Sequence, residues 1–179
     1  MRVVQVPADV LVTKAKTVTK FDNKLAKLVT EMIDTLKNAR DPEGVGLAAV
    51  QVGVSKRLFV MTTNPENEAM PVYDAFINPE IVERSKTKKK SEKILEGCLS
   101  ISNVWGYPER INKVKLNYQD IHGKKLTREF TGFGAIIVQH ETDHLDGILF
   151  THRVMEQGKE LYQIDKDEKG EASLTPLEL

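Results

Sequence analysis

Two of the four histidines stand four residues apart in His140-Glu141-Thr142-Asp143-His144. On a helix that spacing puts both imidazoles on one face, where they can share a single metal ion. Glu141 is rotated off the ligand direction, yet stays within reach of a bound water as a general base. Two imidazoles do not complete a catalytic centre, which takes three protein ligands and leaves one position open. The extended protease pattern with a third histidine is excluded: Gly147 fits it, but Phe150 occupies the ligand position. Glu156 and Glu160 are downstream candidates. The only cysteine, Cys98, is a better one. It sits in Leu95-Glu96-Gly97-Cys98-Leu99-Ser100, where Gly97 allows a close backbone approach. A thiolate with two neutral imidazoles makes a soft tetrahedral set for Fe2+ or Zn2+. The same residues admit a second use, with Cys98 as nucleophile and His140 as its base.

A third string, Gly44-Val45-Gly46-Leu47-Ala48-Ala49-Val50-Gln51, has two glycines two apart. It has too few glycines, and no lysine, for a phosphate loop. Its two glycines permit close backbone approaches, and the Gln51 amide can donate to a developing oxyanion.

These residues need elements to hold them. Leu25, Leu28, Val29, Met32, Ile33 and Leu36 recur at helical steps, which predicts a helix from Asn23 to Asn38 capped by Asp22, with Pro42 blocking its extension. Short strands are expected at Arg57 to Met61 and Ala75 to Asn78. A hairpin is expected from Lys113 to Tyr118 and Lys125 to Phe130, turning at His122-Gly123. Gly134 to Leu145 reads as a second helix, apolar all round through Ala135 to Val138 and therefore buried. A third helix is expected over His152 to Ile164, followed by a polar tail from Asp165 to Leu179. Antiparallel strands with a few segregated helices make this α+β, in one domain spanning residues 1–179.

Composition removes several classes of function. The 179 residues carry 26 Lys plus Arg against 26 Asp plus Glu, so no electrostatic excess favours a nucleic-acid backbone. The lysine-rich run from Ser85 to Lys90 lacks aromatics and reads as a solvated loop. One cysteine excludes an internal disulfide, and no apolar stretch is long enough for a membrane span or signal peptide. A cytoplasmic protein is the expectation, with an organellar origin after transit-peptide removal as the alternative.

In family order, the strings Gly44 to Gln51, Glu96 to Ser100 and Gln139 to His144 resemble the three motifs of the peptide deformylases. The resemblance covers roughly residues 6 to 152. It implies antiparallel sheets around a central helix that carries the histidine pair. It also implies hydrolytic removal of the formyl group from the initiator methionine of nascent chains, encountered in transient proximity to the ribosome. By that resemblance Cys98, His140 and His144 hold one divalent ion per chain, Fe2+ in cells, with Zn2+ or Ni2+ replacing it in isolated protein. Glu141 is the general base, and Gln51 and the Leu99 N–H hold the oxyanion. Val45, Gly46 and Gly97 pair with an extended peptide, while Ile94, Leu99, Ile136 and Ile137 line the methionine pocket. Arg110 falls at the family's substrate-contacting arginine. Two departures stand out. Ser102 replaces a usual proline, and Tyr107-Pro108-Glu109-Arg110 replaces a Val-Pro-Arg-like run. The basic C-terminal helix by which some bacterial relatives dock on the ribosome has no counterpart, because four basic residues after His152 face seven acids.

Overall fold

A computed structural model describes residues 1–40, 43–64, 71–85, 94–166 and 172–178. The lysine-rich run therefore lies almost wholly outside the described residues. Helix α1 spans Asn23–Lys37, and the Asp22 carboxylate accepts from the Lys24 and Leu25 N–H groups at its start. Strands β1 (Gly46–Ala48), β2 (Leu58–Thr62), β3 (Tyr73–Arg84), β6 (Lys113–Gln119) and β7 (Lys125–Thr131) form an antiparallel sheet in the order β1-β2-β3-β6-β7. The β6–β7 hairpin turns at His122-Gly123, as its sequence predicts. Asp120 Oδ1 accepts there from the His122 and Lys124 N–H groups.

Every residue of β2 is buried, because both faces of this sheet are covered. Leu58 and Val60 pack with Leu25, Val29, Met32 and Leu36 of α1. The alternate residues Phe59 and Met61 pack with Ala135, Ile137 and Val138 of helix α2 (Gly132–Leu145). The period of two thus sorts one strand between two helices. The all-round apolar start of α2 places it in the interior, as its pattern requires.

The second sheet is where sequence and structure diverge. Its order is β4 (Glu96–Cys98), β5 (Ile101–Gly106), β8 (Leu161–Lys166) and β9 (Ala172–Pro176). The helix expected over His152 to Ile164 is instead a shorter α3, Phe150–Glu156, followed by β8. Gly158, with φ +65°, stops helical propagation between them. The expected polar tail holds β9, which pairs with β8 from Tyr162↔Pro176 to Lys166↔Ala172. Charged residues conceal this hairpin from a hydrophobicity reading. Val154, Leu161 and Leu177 nevertheless join Cys98 and Phe150 in a third apolar cluster under the small sheet.

Candidate metal centre

Strand β4 and helix α2 meet through side chains, and each brings its chemistry at its own period. Cys98 and Glu96 are alternate residues of β4, so both point toward α2. His140 and His144 are one turn apart on α2. Cys98 Sγ lies 3.2 Å from His144 Nε2, and ligand atoms of Cys98, His140 and His144 all lie within 4.8 Å of one another. No other convergence of this kind occurs among the described residues. Glu96 Oε2 lies 3.0 Å from His140 Nδ1, which leaves Nε2 as the ring nitrogen free to ligate. Arg110 grips Glu96 in turn, Nε to Oε1 and Nη2 to Oε2, both at 2.9 Å. It also pairs with Asp143, which takes Arg153 at 2.7 Å.

Burial alone would raise the Cys98 thiol, but the His144 and His140 rings outweigh it and hold the thiol down to about 5. Burial likewise opposes charge on Glu96, yet His140 and Arg110 bring it to about 2. Against its own burial, His140 is held well above its usual range by Cys98 and Glu96. The same anionic surroundings that favour a proton on its ring favour a cation there. Glu141 is 3% exposed, and desolvation pushes its carboxyl up to about 7 despite both histidines. Its Oε2 is buried with no protein partner.

These observations fit a divalent ion. Two buried donors and the half-buried His140 converge, one of them as a thiolate, with a partnerless carboxylate oxygen beside them and a cavity on the remaining side. That is the arrangement of a catalytic ion with three protein ligands and one open position.

The cavity has a volume of about 660 Å³. Of the residues singled out from sequence, Val45, Gly46, Gln51, Gly97, Cys98, Leu99, Ile136, Ile137, His140 and Glu141 line it. Gly46 is required by close approach, since a Cβ there would run into the Glu141 carboxylate. Gln51 is buried and oriented: its Oε1 accepts from the Ala48 N–H at 2.8 Å, so its Nε2 faces Cys98 Sγ at 3.5 Å and Ser100 Oγ at 3.3 Å.

Three expectations change. Ile94 does not line the cavity; its neighbour Leu95 does. Arg110 does not reach the cavity either. It is 8% exposed, and its guanidinium is consumed by Glu96 and Asp143. Glu156 and Glu160 stand apart from the centre, Glu156 pairing with Arg153 and Glu160 accepting from the Tyr162 hydroxyl. Ser102, the departure from proline, donates to Gln5 Oε1, and Gln5 Nε2 donates to the Leu99 carbonyl. The chain's N-terminal segment is thereby tied to the cysteine turn.

Sequence reasoning missed Glu96 as the orienting partner of His140. Its signal was available: a carboxylate two residues before Cys98 on a strand shares that residue's face, and a ligating imidazole needs an acceptor for its other N–H. The reading also passed over Trp105, which lines the cavity.

The polypeptide deformylase family model matches residues 1–160. The chain belongs to that family. Peptide deformylase 1 of Bacillus subtilis is 43% identical over 153 residues, covering 86% of this chain and 89% of the relative. The peptide deformylase of Desulfotalea psychrophila is 37% identical, covering 91% and 92%. Among solved structures, peptide deformylase from Thermotoga maritima superposes with a TM-score of 0.73 at 41% identity, covering 85% of this chain and 95% of that one. The Plasmodium falciparum enzyme gives 0.76 at 38% identity, covering 85% of each. The deformylase fold is thus an α+β arrangement of antiparallel sheets around the histidine-bearing helix. Deformylases are metal-dependent hydrolases of protein biosynthesis that remove the formyl group from the N-terminal methionine of new polypeptides, and this chain is one of them. Among the described residues, no helix is long and apolar enough to cross a membrane.

Proposed function

We propose that Cys98, His140 and His144 hold one Fe2+ ion per chain, which Zn2+ or Ni2+ can replace in isolated protein, and that Glu141 is the general base and later the general acid of deformylation. The observation that carries this reading is the meeting of the Cys98 sulfur and two imidazoles beside a buried, partnerless Glu141 oxygen. When bound, the ion acts as a Lewis acid and makes hydroxide available near neutral pH.

The remaining steps belong to the chain. A formyl-methionyl peptide lies extended against Val45, Gly46 and Gly97, with its methionine side chain toward Ile136, Ile137 and Leu99. A thioether suits such an irregular apolar slot. Glu141 takes the proton of the attacking water, and desolvation makes its carboxylate basic enough to do so near neutrality. Gln51 Nε2 and the Leu99 N–H donate to the formyl oxygen as it gains charge. The oriented Gln51 amide supports this, because a donor fixed in advance needs no reorganisation during the reaction. Collapse expels the methionine amine, which Glu141 protonates.

Residues 1–179 act as one catalytic unit, since β9 and Leu177 pack onto the small sheet that carries Cys98. The enzyme works in the cytoplasm on nascent chains, near the ribosome only transiently, because its C-terminal region has more acids than bases. The deciding experiment is a deformylation assay on anaerobically prepared protein with metal analysis of the same sample. Stoichiometric iron, with activity lost in air and restored by ferrous ion, is the expected result. Zinc with indifference to oxygen would refute the iron assignment. Activity that survives chelators and is abolished by alkylation would instead make Cys98 the nucleophile.

A further inference from the structure

Gly97 is held by something other than the centre. A Cβ built on it would lie 2.6 Å from Trp105 Cζ3, 2.8 Å from Cε3 and 3.0 Å from Cη2. The six-membered ring of Trp105 therefore lies against the Gly97 backbone, one residue along the strand from Cys98. Strand alternation fixes the side on which it lies. Cys98 and Glu96 reach His144 and His140 at 3.2 and 3.0 Å, so their face of β4 looks at α2. The face between them, where Gly97 would have a side chain, carries the indole.

Trp105 lines the same cavity and is only half-buried. Its indole N–H has no acceptor among the described residues. The cavity wall also includes Phe133, a large apolar side chain left 39% exposed.

We infer that Trp105 is a specificity-determining residue, forming the wall against which the side chain following the formyl-methionine packs. This rests on the proposed placement of the peptide along Gly97. An extended peptide with its methionine directed toward Ile136 and Ile137 on the α2 side turns its next side chain to the opposite face. That face is the one the indole covers. A flat, polarisable ring favours aromatic and large apolar groups over glycine or carboxylates. The preference therefore falls on nascent chains whose second residue is phenylalanine, tyrosine or leucine.

The test is a series of formyl-Met-X-Ser peptides, with X as Phe, Leu, Ala, Gly or Asp, assayed on the metal-loaded enzyme. The wild type should favour Phe over Gly. Trp105→Ala should lower the Phe-to-Gly ratio of kcat/KM about fivefold to tenfold, with the change carried by KM. Trp105→Phe should restore most of that ratio. Because the chain has one tryptophan, a second readout needs neither turnover nor a variant. Titrating the wild type with the product-like peptide Met-Phe-Ser should change its tryptophan fluorescence more, at saturation, than Met-Gly-Ser does. An equal loss on every peptide in Trp105→Ala, or equal fluorescence responses to the two products, would overturn the inference. A fluorescence preference for Met-Phe-Ser in protein that deformylates nothing would instead sink the functional reading and spare the wall.

Discussion

Glu141 is the proposed general base, and that role makes two demands on its surroundings. Its carboxylate must be basic, and it must be free to move a proton. Burial secures the first by destabilising the charged form, and the partnerless Oε2 secures the second. Glu141→Gln keeps the size and the hydrogen-bonding shape but cannot accept a proton. Its kcat should fall by about two to four orders of magnitude while metal content per chain is unchanged. Metal analysis beside a deformylation assay checks this, and full activity would remove Glu141 from its role. Gly46 makes a complementary prediction. Because a Cβ there meets the same carboxylate, Gly46→Ala must displace either the strand or Glu141. A displacement of that size costs about 100-fold in rate, again with the metal retained. Measuring kcat/KM and metal in one preparation separates it from a folding defect.

At the scale of elements, the centre is a join between a strand and a helix, and Arg110 is the rivet. Its side chain is 5% exposed and links Glu96 of β4 to Asp143 of α2. Removing it strips the buried Glu96 carboxylate of its two-point guanidinium partner, a defect of the kind that costs about 3–5 kcal/mol, while Asp143 keeps Arg153. Arg110→Ala should show that loss in urea unfolding, and Arg110→Lys should recover only part of it, since an ammonium cannot repeat the two-point grip. Had Arg110 touched substrate, as its motif position led one to expect, the change would appear in KM with stability intact. Glu96→Gln separates orientation from stability. It weakens the hold on His140 Nδ1 and should lower metal affinity about 10–100-fold. Equilibrium dialysis of metal decides it.

These cases show what a sequence can disclose. Helical and strand periods exposed α1 and the β6–β7 hairpin because each buries a regular face, and the unbroken apolar run Ala135 to Val138 exposed α2 because it is buried all round. The four-residue spacing marked His140 and His144 as one face of a helix, and the lone Cys98 was the remaining soft donor; the structure brings these three side chains together beside Glu141. Arg110 and Ile94 were misplaced because offset along a chain does not fix the direction of a side chain. The β8–β9 hairpin stayed hidden because its stabilising contacts are backbone pairing and a few apolar residues amid charge.

For the whole molecule, the distribution of ligands has a thermodynamic consequence. Cys98 belongs to the four-stranded sheet, whereas His140 and His144 ride on the helix packed against the five-stranded one. An ion held by all three therefore ties two separately cored layers together. It binds the native arrangement only, because the unfolded chain does not bring a residue at position 98 next to a pair more than forty residues later. At free metal about 1,000-fold above Kd, such linkage adds about 4 kcal/mol to the folded state. For a chain of this length each kcal/mol moves Tm by about 2–4 °C. Stripping the metal anaerobically should thus lower Tm by roughly 10 °C, and adding it back should restore the loss. Cys98→Ala supplies the control: with one anchor gone, its Tm should respond far less to chelator than the wild type's does. If calorimetry shows wild type and variant shifting equally, the ion does not bridge the two sheets.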